Sequence, residues 1–265
     1  MKYVRNPYIA GEWIGESPTF KNIPKTNLMS VDWDLVKKQK PNFFSLDILK
    51  ILPEYNLIQK LINIWIINTK KGTGKTHWIM EQTNAAVERM IIAKSKGNPI
   101  VERFVLMWRT KTHGEEMINE INESSQHKYI IKKSKIWVKE SNEDKIISCG
   151  MWVGDVVFLG TAHNHASKQF VGFNRVYFDE YRSKIALSIR QKIQEPIAFG
   201  TFIDTFQRDK KMGESKFYLF GNNEKGADSL AESWEIDKKQ EIFIYPWKSL
   251  LYMNFQLQYG KQETH

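Results

Sequence analysis

Residues 62–69, INIWIINT, form an unbroken apolar run of strand length. A run of this kind, rich in Ile and Trp, predicts a strand buried on both faces, as in the middle of a parallel sheet. Lys70 to Gly74 reads as a turn. From Thr76 onward, Trp78, Ile79, Ala86, Met90 and Ile91 recur at steps of three and four, which predicts an amphipathic helix ending near Gly97-Asn98-Pro99. RFVLMW (103–108) reads as a second buried strand, and GEEMINEINESS as a short helix. Residues 129–160 alternate or run apolar around a polar turn at 141–144, the pattern of a β-ribbon. Asn174 to Phe178 is a short apolar strand, SKIALSIRQKIQ and PIAFGTFIDTFQRDKK read as two helices, and KFYLFGNN as a strand ending in a polar turn. A strand pair is expected towards the C-terminus. Strands alternating with helices indicate an α/β fold with a mainly parallel sheet flanked by helices, carrying the β-ribbon as an insertion.

The flanks differ. Residues 1–45 are irregular, punctuated by Pro7, Pro18, Pro24 and Pro41, with Trp13, Phe20, Trp33, Phe43 and Phe44 between. Aromatics of that density suggest an arm lying on the main body or on a neighbouring subunit. The α/β domain is expected over 46–231, and 232–265 as an extension or the start of a reduced second domain. With 42% hydrophobic and 26% charged residues, a mainly disordered chain is excluded. A single cysteine, Cys149, excludes a disulfide framework or a cysteine-based zinc cluster. No apolar stretch is long enough to span a membrane. The formal charge of +9 favours a polyanionic partner, a nucleic acid ahead of an acidic membrane surface.

Lys71-Gly72-Thr73-Gly74-Lys75-Thr76 stands between a buried strand and a helix, where nucleotide phosphates are cradled. Consecutive backbone N–H groups must point into one concavity, and Gly72 and Gly74 permit the dihedrals this needs. The helix N-terminus adds positive potential. Lys75 would reach the β and γ phosphates, and the Thr76 hydroxyl would ligate Mg²⁺. The pattern usually opens with Gly six residues before the lysine; here that position is Thr69. Lys70 and Lys71 are either charge sensors beside the phosphates or solvated turn lysines.

Asp179 and Glu180 end an apolar strand. Adjacent acids there would face the crevice holding the phosphates, Asp179 towards Mg²⁺ and Glu180 towards the attacking water. FYLFGNN has the same design, so Asn222 or Asn223 is either a contact to the γ phosphate and lytic water or part of a simple turn. Arg208 closes a helix, as a surface residue near terminal carbonyls or as an arginine reaching a neighbouring subunit's site. His163 and His165 lack an evident third metal ligand and are read as loop residues.

KKGTGKTHW, FVLMWRTKT, VVFLGTAHNHASKQFVGFNRVYFDEYR, FIDTFQR and LFGNN together resemble, in order, the motifs of DNA-encapsidation ATPases of small short-tailed bacteriophages. These are relatives of the large terminases among the additional-strand P-loop NTPases (RecA-like). The resemblance covers roughly residues 60–225. It implies a Walker A role for Lys71, Gly72, Thr73, Gly74, Lys75 and Thr76, a Walker B role for Asp179, and a catalytic role for Glu180. It further implies a coupling role for Asn222, with Asn223, and a trans-acting one for Arg208. Arg109 matches an Arg after the second core strand. ATP and Mg²⁺ are the implied cofactors. The implied partners are double-stranded DNA, the portal of a procapsid, and other copies of the chain in a ring of five or six, in the host cytoplasm and transiently at the portal vertex. Lys132, Lys133, Lys135 and Lys168 are candidate DNA contacts, or members of solvated charged faces. Too little chain follows Asn223 for the nuclease-like domain many terminases carry, so nuclease activity is not expected. The rival readings are another P-loop DNA translocase or helicase, and a nucleotide-gated assembly protein that does not translocate.

Overall fold

Residues 64–69 are buried along their whole length, and their side chains alternate between two cores. Trp65 and Ile67 enter one apolar cluster, Ile64 and Ile66 another. One strand can feed two cores only where helices cover both faces of its sheet. The computed structural model describes residues 4–5, 13–14, 46, 50, 55–124, 127–142, 145–165, 168–182, 187–208, 210, 214–222, 228–236, 242–245 and 250–254. Asn223 and nearly all of the expected N-terminal arm lie outside the described residues.

Two short strands, β1 (Val4–Arg5) and β2 (Trp13–Ile14), pair antiparallel. Then follow α1 (Tyr55–Leu61), β3 (Ile64–Thr69), α2 (Lys75–Ser95), β4 (Arg103–Trp108) and α3 (Lys111–Ser124). The chain continues with β5 (Tyr129–Lys132), β6 (Lys135–Asn142), β7 (Lys145–Phe158) and a 3-10 turn at Leu159–His165. The last part holds β8 (Phe173–Phe178), α4 (Ile189–Gln207), β9 (Lys216–Asn222), α5 (Ser229–Ser233), β10 (Ile242–Tyr245) and β11 (Leu250–Asn254). Among the described residues, nine strands form one sheet in the order β10-β11-β3-β9-β8-β4-β7-β6-β5. From β11 to β7 neighbouring strands are parallel; β10, β5 and β6 run antiparallel to their neighbours.

Helices α1, α2 and α3 pack one face through residues such as Ile58, Trp78, Val87 and Ile121. Helices α4 and α5 cover the other through Phe199, Phe202, Phe206 and Leu230. Helix α4 is continuous where the sequence suggested two helices with Pro196 opening the second. Proline removes one helical hydrogen bond and crowds the preceding turn. A capping box between Ser188 and Gln191 and the buried phenylalanine face hold the helix together across it.

Two boundaries differ from the sequence reading. The β-ribbon is not set apart as an insertion: Gly154–Phe158 of β7 pairs in parallel with β4, so the ribbon is the edge of the main sheet. A Cβ at Gly154 would lie 2.5 Å from the Phe104 carbonyl oxygen, which is why β7 carries glycine at that approach. The segment expected as a C-terminal extension supplies β10 and β11, and β11 pairs with β3.

Candidate functional site

Both glycines of the turn after β3 need their freedom. Gly72 has φ 75° and Gly74, the N-cap of α2, has φ 85°. A Cβ at Gly72 would meet nothing within 4 Å, so its backbone conformation and not crowding calls for glycine. The turn is also built from side chains. The buried Thr69 hydroxyl lies 2.5 Å from that of Thr73 and accepts from Lys75 Nζ at 2.9 Å. Lys75 also donates to the Lys70 carbonyl at 2.9 Å, and Thr73 to the same oxygen at 3.1 Å. Thr69, the departure from the usual glycine, thus fixes the lysine through a hydroxyl that glycine lacks. Lys70 and Lys71 are exposed.

Strand β9 separates β3 from β8, so the turn and the acidic strand end are about two strand spacings, roughly 10 Å, apart at the backbone. Side chains close that gap: Thr76 Oγ1 donates to Asp179 Oδ2 at 2.7 Å. The other Asp179 oxygen accepts the Glu180 N–H at 3.0 Å. Asp179 is buried and Glu180 half-buried. Glu180 has φ 49°, a left-handed conformation that disfavours a residue bearing Cβ. Asn222 ends the intervening strand and pairs in register with Thr69. Lys75, Thr76, Asp179, Glu180 and Asn222 therefore share the C-terminal edge of three adjacent parallel strands, where α/β sheets bind ligands.

Beneath this edge lies a polar cluster that sequence reasoning did not single out. The buried Tyr181 hydroxyl donates to Asp228 Oδ2 at 2.9 Å, and the Asn68 side-chain amide lies 3.2 Å from the same hydroxyl oxygen. Burial and the neighbouring Asp228 carboxylate push the Tyr181 phenol well above its ordinary pKa, so it remains a donor. Arg182 Nη1 donates to the Asn222 carbonyl at 2.8 Å. A Cβ at Gly221 would lie 2.2 Å from Asn68 Oδ1, 2.8 Å from Tyr181 and 2.9 Å from Arg182, so glycine is what admits the cluster. The available signal was Asn68, a polar residue inside an apolar run, and the Tyr-Arg following the acid pair.

Arg109 is a clamp. Its guanidinium donates to the Tyr181 carbonyl at 2.8 and 2.5 Å and to Glu195 Oε1 at 2.5 Å. Glu195 also accepts from Ser229 at 2.6 Å, so β4, the loop after β8, α4 and α5 are tied together.

The remaining candidates lie elsewhere. Arg208 is exposed at the C-terminal end of α4. That helix crosses from the end of β8 to the start of β9, so Arg208 stands at the opposite edge of the sheet from the turn. Within one chain a strand of seven residues, roughly 20 Å, separates them. Lys132 and Lys133 are exposed at the β5–β6 hairpin, where Lys133 and Ser134 have φ 51° and 59°. Lys135 Nζ sits 4.2 Å from the centroid of Trp152, and Arg103 lies 4.3 Å from the same ring. Lys168 is paired with Asp155, which is fully buried in β7. His165 closes the 3-10 turn against Phe170, and burial, then Lys168, lowers its pKa.

Solved structures place this architecture among known folds. The fold is shared with a phage packaging ATPase domain. The N-terminal domain of the DNA packaging ATPase from bacteriophage phi29 matches with a TM-score of 0.54 and 14% identity, over 80% of this chain and 97% of that one. A chain of the bacteriophage Phi-29 viral genome packaging motor assembly matches with a TM-score of 0.53 and 16% identity, over 81% of this chain and 57% of that one. The Phi-28 gp11 DNA packaging motor matches with a TM-score of 0.50 and 14% identity, over 79% of this chain and 60% of that one. The chain thus spans 57% and 60% of the length of the two motor chains, less than two thirds of either. No protein-family model matches the chain. Among curated proteins, none matches its sequence. No helix among the described residues is long and apolar enough to cross a membrane.

Proposed function

We propose that this chain is the ATP-hydrolysing subunit of a viral DNA-packaging motor, driving double-stranded DNA into a preformed capsid. The observation that carries the reading is the Thr76–Asp179 hydrogen bond, which brings the glycine turn and the acidic strand end together across an intervening strand. An additional strand between those two elements is what the resemblance implies, and it supplies Asn222 between them.

In this reading the phosphates of ATP lie against the N–H groups of residues 72–76, with Lys75 on the β and γ oxygens. Mg²⁺ fits the donor set: a hydroxyl and a carboxylate oxygen 2.7 Å apart are hard oxygen ligands of the kind it takes beside phosphate. Bound there, the ion would neutralise charge developing on the phosphate oxygens. Glu180 is the group that orients and deprotonates the lytic water. Asn222, tied to Arg182, senses the γ phosphate. Arg208, at the far edge of the sheet from its own chain's turn, acts on a nucleotide held by another subunit. Subunits assemble as a ring of five or six on the capsid portal in the host cytoplasm, and lysines such as Lys132 and Lys133 grip DNA phosphates without reading bases.

Steady-state ATP turnover by the chain, with and without double-stranded DNA and portal, tests the reading. DNA-stimulated turnover, abolished by Lys75→Ala, supports it. A rate indifferent to DNA in assembled rings would favour a nucleotide-gated assembly protein instead, and no turnover under any condition would remove the enzyme reading.

A further inference from the structure

Arg109 is the first residue after β4. Strand β4 pairs in parallel with β8, with Met107 opposite Phe178, so two residues further on Arg109 stands level with Glu180. Its Nε and Nη2 both donate to the Tyr181 carbonyl, at 2.8 and 2.5 Å, while Nη1 donates to Glu195 Oε1 at 2.5 Å. The side chains of Arg109 and Glu195 are 15% and 12% exposed, so solvent screens the pair little. A guanidinium is a rigid planar fork, so fixing one edge on Glu195 fixes where the other edge points. Glu195 is itself held, accepting from Ser229 Oγ at 2.6 Å.

The grip falls on the peptide next to a strained residue. Glu180 has φ 49°, and a residue with a Cβ keeps such a conformation only where its surroundings over-determine it. The Tyr181 N–H donates to the Phe220 carbonyl at 3.0 Å and the Tyr181 hydroxyl to Asp228 at 2.9 Å. Those bonds hold Tyr181 from the β9 side, and Arg109 holds its carbonyl from the β4 side. Without Arg109 the backbone at 180–181 is free to relax towards an ordinary φ, which re-aims the Glu180 carboxylate. A displacement of about 1 Å in a reacting group is enough to cost about 100-fold in rate.

The geometry points to Arg109 as a positioning residue: anchored on Glu195, it holds the Tyr181 carbonyl and, through it, the aim of Glu180 at the lytic water. This deepens the proposed function and rests on it only for what Glu180 does; the hold on the loop stands apart from it. A tie that merely joins β4 to α4 would affect stability and leave nothing specific to Glu180.

The full-length Arg109→Gln/Glu195→Gln variant removes both charges together and so strands neither. Amide hydrogen exchange followed by NMR on the nucleotide-free chain is the first readout. Exchange at Glu180 and Tyr181 is expected to speed up by about 10-fold or more, with β3 changing by less than about 2-fold. Single-turnover hydrolysis is the second readout. The rate is expected to fall by about 10- to 100-fold while MgATP affinity stays within about 3-fold. Added to Glu180→Gln, the same pair of substitutions should slow hydrolysis by less than about 2-fold further, because the residue they aim is already disabled. Arg109→Lys, which keeps a charge opposite Glu195 and gives up the fork, should move exchange and rate in the same direction. Unchanged exchange at 180–181, or exchange raised equally across the sheet, overturns the inference, as does a rate loss that multiplies with that of Glu180→Gln. A wild-type chain without turnover whose variants still gain exchange at 180–181 would remove the enzyme reading and leave the hold on Glu180 standing. Wild-type turnover slowed by Glu180→Gln but not by the Arg109 variants would do the reverse.

Discussion

The Thr76 hydroxyl donates to Asp179 at 2.7 Å although the two residues are 103 positions apart and the strands that lead into them, β3 and β8, are not neighbours. The contact makes one site of two motifs that the sequence offers separately. If both oxygens serve the same ion and phosphate, their effects on turnover will not add. Thr76→Ala and Asp179→Asn should each reduce ATP turnover by about 100-fold or more, and the double variant should be little worse than the more severe single one. Additive losses in such a double-mutant cycle would mean that the two residues act independently.

Glu180 combines a role in chemistry with a strained backbone. A left-handed residue with a Cβ costs about 1 kcal/mol or more relative to glycine. Glu180→Gly should therefore be more stable to denaturant than Glu180→Ala by about 1 kcal/mol, while both lose turnover. Glu180→Gln, which keeps the shape and removes the base, should bind MgATP and turn it over about 100-fold or more slowly. Equal stability of the glycine and alanine variants would argue against the strain.

Gly221 is the weak point of the polar cluster. A methyl group there would meet Asn68, Tyr181 and Arg182, all closer than 3 Å. Gly221→Ala should lower the unfolding free energy by about 1–3 kcal/mol, the usual penalty for overpacking. It should also disturb Asn222, whose carbonyl Arg182 holds. Urea denaturation reads the first effect, and nucleotide affinity the second.

The parts of this fold legible in the sequence are those with local causes. INIWIINT announces a doubly buried strand, and Gly72 and Gly74 announce the turn. The strand ends at Asp179 and Asn222 follow from apolar runs stopping at polar residues. What the sequence hid was set by long-range pairing. The apolar run of β7 looks the same whether it belongs to a free ribbon or to the main sheet, because only its register with β4 decides. The same holds for β11, whose pairing with β3 spans almost the whole domain. Pro196 reads as a helix start by local rules, yet the capping box at Ser188 and Gln191 starts the helix two turns earlier, and the buried Phe199, Phe202 and Phe206 anchor the turns that follow the proline. Arg109, Tyr181 and Glu195 gain meaning only once three elements converge.

Lys216 provides a test by pH. It is buried at the start of β9, donating to the carbonyls of Gln59 and Ile62. Burial, with a smaller contribution from Arg175, lowers its pKa to about 7. The unfolded chain, with an ordinary lysine pKa, therefore binds more protons between about pH 7 and 10.5 than the folded one. Stability contributed by this group accordingly rises with pH across that window, at up to about 1.4 kcal/mol per unit, and is flat below it. Lys216→Met should flatten the rise in unfolding free energy between pH 7 and 10. An unchanged slope would place the lysine's pKa near its ordinary value.

The candidate DNA lysines separate by what holds them. Lys168 neutralises Asp155, a carboxylate with no exposed surface near the C-terminal end of β7. Without Lys168, Asp155 keeps the Trp152 Nε1–H at 3.0 Å and the nearby Arg103 charge but loses its ion-pair partner, so Lys168→Met should cost about 1–3 kcal/mol of stability. Any loss of DNA binding in that variant would then accompany unfolding. Lys132 and Lys133 are exposed at the hairpin, where Lys133→Gly would also relieve a left-handed backbone. Lys132→Ala should leave stability within about 0.5 kcal/mol of wild type. If it contacts a DNA phosphate, its loss should reduce the slope of log affinity against log salt by about 1, independent of sequence. A stable Lys168 variant with reduced salt dependence, beside an unchanged Lys132 variant, would move the DNA contact from the hairpin to the loop before β8.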